Sequence, residues 1–148
     1  MRRTLFSIIV AATFVAGCGT TAQTPTEEEH GPAVVEPVEG SEDLHRITLT
    51  EQAAERLGIE TASVGAAPGA GGRTQVPYSA VIYDAEGAAW AYVTDGELSY
   101  VRHALTVDEI VADTAGDYAV LTEGPAEGET VVSVGVAELF GAEFEVGH

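Results

Sequence analysis

Cys18 carries the only thiol in the chain, so it is the first group to test for chemistry. A lone cysteine can be a nucleophile, a metal ligand or the site of a modification, but it cannot close an internal disulfide. The other reactive side chains are scattered. His30, His45, His103 and His148 lie far apart, and none pair at the spacing metal ligands need. Glu27-Glu28-Glu29-His30 and Asp108-Glu109 bring carboxylates together, yet among 24 acidic residues such runs are what a solvated face looks like. No lysine is present to form a Schiff base or hold a phosphate, and no Ser or Thr sits in a nucleophile elbow. Gly69-Ala70-Gly71-Gly72 precedes a strand pattern rather than a helix, which makes it a linker and not a phosphate loop. These residues point away from an enzyme, a cofactor or a transition-metal site. A hard cation held by carboxylate oxygens is the one inorganic ligand the composition still suits.

The surroundings of Cys18 give its thiol a different use. Arg2 and Arg3 begin the chain, and Leu5 to Gly17 (LFSIIVAATFVAG) is an apolar run ending in small residues directly before the cysteine. This is the pattern of a signal peptide over residues 1–17. As a helix the run reaches about 20 Å, short of a hydrocarbon core of about 30 Å. Val15-Ala16-Gly17-Cys18 resembles the bacterial lipoprotein lipobox, which implies transfer of a diacylglyceryl group to Cys18 and cleavage before it. The membrane is then a partner through the anchor at Cys18, with the chain on the extracytoplasmic face of the cell membrane.

Charge narrows the partners further. All six basic residues are arginine, the formal net charge is −18, and loss of Arg2 and Arg3 would make it more negative. Such a chain is repelled by nucleic-acid phosphates, so that class is excluded. With 148 residues, 45% hydrophobic and 20% charged, it suits one globular domain.

Residues 18–44 are rich in Thr, Pro, Gly and Glu without an apolar period, and read as an acidic, flexible tether. Residues 45–148 then form the domain. Arg46 to Leu49 alternates as a short strand, and Thr50 to Gly58 is a short helix with Thr50 as cap and Gly58 as stop. Ile59 to Val64 is a second strand, and Gly65 to Gly72 a flexible connection. From Arg73 the pattern is strand and turn: Val76 to Tyr83, Ala88 to Thr94, Glu97 to Val107, Tyr118 to Thr122 and Thr130 to Val134. The fold class is mainly β: a small antiparallel, roll- or barrel-like domain with one short helix.

Asp95-Gly96 suits a two-residue hairpin turn, a register that sets Val93 opposite Leu98 and Trp90 opposite Val101. Strand aromatics are mostly core. A subset beside the turn offers a docking surface, with Trp90, Tyr92, Asp95, Gly96 and Tyr100 as the candidate partner contacts.

Two blocks carry a family likeness. Ile47-Thr48-Leu49-Thr50-Glu51-Gln52 with Leu57-Gly58-Ile59-Glu60-Thr61 resembles the early segment of bacterial efflux-pump periplasmic adaptors, the membrane fusion proteins. Val76-Pro77-Tyr78-Ser79-Ala80-Val81, Trp90 to Val93, Asp95-Gly96, and Leu121 to Val134 with Gly124, Gly128-Glu129 and Val131-Val132 resemble their C-terminal segment. In that family the two segments fold together as the membrane-proximal domain, and a lipoyl-like domain, a helical hairpin and a β-barrel lie between them. Here Gly65 to Gly72 stands in place of all three, so the likeness implies the membrane-proximal module alone. It implies an accessory or adaptor lipoprotein of an export or efflux transporter, touching a permease on the extracytoplasmic side without catalysis. The alternative from the same residues is a lipoprotein that binds a solute or metal cation through surface carboxylates and histidines.

Overall fold

The computed structural model describes residues 31–41, 43–69 and 71–145; Cys18 and the residues read as a signal peptide and as the first part of a tether lie outside these. The strands are β1 (Ala33–Pro37), β2 (His45–Leu49), β3 (Glu60–Ser63), β4 (Gly65–Ala66), β5 (Thr74–Pro77), β6 (Ile82–Tyr83), β7 (Ala89–Thr94), β8 (Ser99–Val111), β9 (Tyr118–Glu123) and β10 (Thr130–Val134). Helix α1 (Glu51–Leu57) follows β2, and α2 (Val136–Glu145) follows β10. The domain is mainly β, as the alternating patterns require, but it has two helices rather than one.

Antiparallel pairing runs β3-β10-β7-β8-β9-β5-β4. The two ends of this path are one stretch of chain bent at Val64, whose N–H donates to Glu129 O at 2.8 Å and whose carbonyl accepts from Gly128 N–H at 2.9 Å. The sheet therefore rolls into a nearly closed barrel, which leaves few unpaired edges. Strand β8 is long enough to serve two neighbours. Its first half pairs with β7 (Val93↔Val101) and with β2 (Ile47↔Tyr100), and its second half pairs with β9 (Ile110↔Ala119) after register shifts between Thr106 and Glu109. Strand β1 extends the sheet beyond β2.

Because side chains alternate across a strand, β7 and β10 feed two cores. Ala91 and Val131 point into the barrel with Val76, Leu105 and Leu121. Tyr92 and Val132 point outward, where Ile47, Leu49, Ala53, Val136 and Leu139 from β2 and the helices cover them. Helix α1 is delimited as its sequence requires. Thr50 Oγ1 accepts from Ala53 N–H at 3.2 Å, Gly58 takes φ 64°, and Ala53 and Ala54 are buried.

Four local expectations change. Residues 33–37, read as tether, are a strand, because their partner β2 offers an edge of matching length. Val76 to Tyr83 is not one strand: Pro77 ends β5, and Tyr78–Ala80 make a 3-10 turn before β6. The first two residues of the glycine-rich connection are β4. The hairpin is longer than a two-residue turn. Val93 faces Val101 and Trp90 faces Ala104, while Leu98 stands at φ 57° in the loop. That loop sends the Leu98 side chain against the outer core and lets its carbonyl accept from Leu49 N–H at 2.9 Å. Two tight residues at the turn would have kept Leu98 in the strand, away from both partners.

Candidate functional site

The five candidate contact residues divide by the way they face. Asp95 and Gly96 are exposed at the hairpin tip, and Arg46 from β2 braces it by donating from Nε to Asp95 Oδ2 at 2.8 Å. Trp90 is half-buried and its Nε1–H donates to Asp84 Oδ2 at 2.8 Å. Tyr92 and Tyr100, at 0% and 3% exposure, belong to the outer core. They cannot be surface contacts in this fold, because β2 and the helices cover the face of β7 and β8 from which they project. Burial pushes the Tyr100 hydroxyl pKa up.

What these outer-core aromatics hold is a largely buried charge cluster. Glu143 of α2 is 3% exposed, and its Oε2 accepts from the Tyr92 hydroxyl at 2.5 Å. Arg102 of β8, 6% exposed, brings Nε to 3.2 Å from the same oxygen, an ion pair not aligned as a hydrogen bond. Its guanidinium lies 4.2 Å from the Trp90 ring centroid and 5.2 Å from that of Phe144, and Nη2 donates to Asp43 O at 3.0 Å. His45 Nδ1 lies 3.7 Å from Glu143 Oε1, and both atoms are buried without a hydrogen bond. Desolvation and then the Glu143 carboxylate hold the Tyr92 hydroxyl far above its ordinary pKa, so it stays a donor. This cluster fastens α2 to the sheet: His45 from β2, Trp90 and Tyr92 from β7, Arg102 from β8, and Glu143 and Phe144 from α2 all take part. Sequence reading missed Glu143, Arg102 and His45 as a group. The available signal was the helical spacing Val136, Leu139, Phe140, Glu143, in which the last place on the apolar stripe is a carboxylate.

The sheet also places a second acid. Asp84 in the turn before β7 accepts from Trp90 Nε1–H and from the N–H groups of Glu86 and Ala88. These bonds, the Trp90 one foremost, hold its carboxyl below the usual range. Among the described residues no group of three or more His, Cys, Asp or Glu is arranged to hold a metal ion. His103 is exposed on β8, with Nδ1 3.0 Å from Ala104 O, and His30 and His148 lie outside the described residues. No described helix is long and apolar enough to cross a membrane.

A cleft of about 530 Å³ opens elsewhere, between α1, α2 and the start of β1. Ala33, Leu49, Ala53 and Leu57 form apolar walls, Gly141 and Ala142 keep α2 from filling it, and Arg56 and Glu138 stand among its lining. Comparison with protein-family models, curated proteins and solved structures finds no significant match to this chain.

Proposed function

We propose that the protein is a membrane-anchored accessory lipoprotein of an export or efflux transporter, acting by protein contact on the extracytoplasmic side. The observation that carries this reading is the closure of the barrel. The early segment, bent at Val64, pairs with β10 at one end and β5 at the other, so segments that resemble two halves of an adaptor's membrane-proximal module share one core. The turn that joins them needs no inserted domain. Val15-Ala16-Gly17-Cys18 supplies the anchor, and the exposed Asp95-Gly96 tip, braced by Arg46, is the docking point. The full chain has a formal net charge of −18, and such an acidic protein favours a protein partner with a basic patch over an anionic lipid surface.

The test is cross-linking in intact membranes from a photoreactive residue at position 97. Capture of a permease in the parent, lost in Cys18→Ala when the protein leaves the membrane fraction, is the expected result. Capture of lipid alone, or membrane retention of Cys18→Ala equal to the parent, removes the reading.

A further inference from the structure

The described arginines are not equivalent. Arg46, Arg73 and Arg102 each pair with a carboxylate, Asp95, Asp108 and Glu143 respectively. Arg56 is the exception. It makes no ion pair or side-chain hydrogen bond among the described residues, although the chain has 24 acids to choose from. It lies in the last turn of α1, and Glu138 lies in the first turn of α2; both line the cleft between the helices. Glu138 is likewise without a partner among the described residues, so the two opposite charges share one cleft and do not meet within 4.0 Å. At about 530 Å³ the cleft falls in the size range of small-molecule sites, with apolar walls and few polar groups.

We propose that this cleft binds a single-chain zwitterionic phospholipid. The acyl tail lies against Ala33, Leu49, Ala53 and Leu57, the phosphate sits on Arg56, and the ammonium sits on Glu138. Apolar walls alone would accept any hydrocarbon, and the pair of separated opposite charges is what selects the head group. A fatty acid satisfies Arg56 but leaves Glu138 facing its tail or its carboxylate. A head group with phosphate and ammonium satisfies both. The site is independent of the docking tip, since none of its lining residues belongs to β7, β8 or the turn between them.

Gly141 supplies a clean way to close it. A Cβ built there meets nothing within 4 Å, so a larger side chain enters open space without disturbing the helix. The experiment is calorimetric titration of the full chain carrying Cys18→Ala with myristoyl lysophosphatidylethanolamine below its micelle concentration, beside myristate and tail-less phosphoethanolamine. Saturable binding of the lysolipid, tighter than myristate and absent for phosphoethanolamine, is expected. Arg56→Gln should weaken both amphiphiles by about tenfold, Glu138→Gln should weaken the lysolipid alone, and Gly141→Leu should abolish binding while circular dichroism stays unchanged. Equal affinity for myristate and lysolipid, a Glu138→Gln variant that binds like the parent, or undiminished binding in folded Gly141→Leu would each overturn the assignment. So would the absence of saturable lysolipid binding.

Discussion

A carboxylate with no exposed surface is stable only while its partners remain, and Glu143 shows what each partner contributes. Removing it leaves Arg102 buried beside Trp90 with only the Asp43 carbonyl to answer it. Glu143→Ala should therefore cost about 3 kcal/mol in urea unfolding. Tyr92→Phe, which removes one hydrogen bond to a charged acceptor, should cost roughly 1.5–3 kcal/mol. The double variant Arg102→Met with Glu143→Leu removes both charges and should recover most of the first loss. Additive losses would mean that the pair is not coupled. Asp84 makes a pH prediction with a definite sign. Its folded pKa is lowered, foremost by the Trp90 bond, so its contribution is present above the unfolded carboxylate pKa and is lost as pH falls through the folded value. Trp90 is the only tryptophan, so its fluorescence reports this titration directly. The parent should show an emission change with a midpoint below the ordinary aspartate range, and Asp84→Asn should lack it.

Elements were legible wherever the sequence pattern and the local cause agreed. Thr50, Gly58 and the Ala53-Ala54-Leu57 face announce α1 because cap, stop and buried stripe lie within nine residues of one another. Helix α2 was hidden for a physical reason: its stripe ends on Glu143, and nothing local says that a carboxylate there is buried. Strand β1 was hidden by its acidic, proline-containing neighbours, since its order depends on pairing with β2 rather than on its own composition. The hairpin register failed on Leu98, whose place is set by the outer core across the chain. Two glycines around α2 separate local from long-range causes. Gly135 has φ 87° and an added Cβ would overlap Ile59 Cδ1, so Gly135→Ala should destabilise by at least about 1–2 kcal/mol. Gly141 lies inside the helix facing open space, and Gly141→Ala should stabilise by about 0.5–1 kcal/mol. Thermal unfolding of the pair should move in opposite directions, and a gain for Gly135→Ala would show that the helix start is not held by that close approach.

At the scale of the whole molecule the two cores depend on one another through β7, β8 and β10, whose opposite faces belong to different cores. That dependence decides which fragments can fold. A chain of residues 31–148 keeps every described element. Residues 45–148 lose β1, which uncovers the edge of β2 and removes the packing of Ala33 and Val35 on the outer core. At about 25 cal/mol per Å² of apolar surface, two such half-buried side chains account for roughly 1–3 kcal/mol. Residues 73–148 lose much more. Without β3 and β4 the barrel opens between β10 and β5, and without β2 and α1 the Tyr92 and Val132 face has only α2 to cover it. An open sheet of this size with both faces apolar should not unfold as one cooperative unit. Urea titrations of the three fragments, followed by Trp90 fluorescence and circular dichroism, should rank 31–148 above 45–148, with 73–148 lacking a cooperative transition. Equal midpoints for the first two would show that β1 adds no stability. A cooperative transition in 73–148 matching the others would mean that the early segment is not needed to close the barrel, and the shared core that supports the adaptor reading would fall with it.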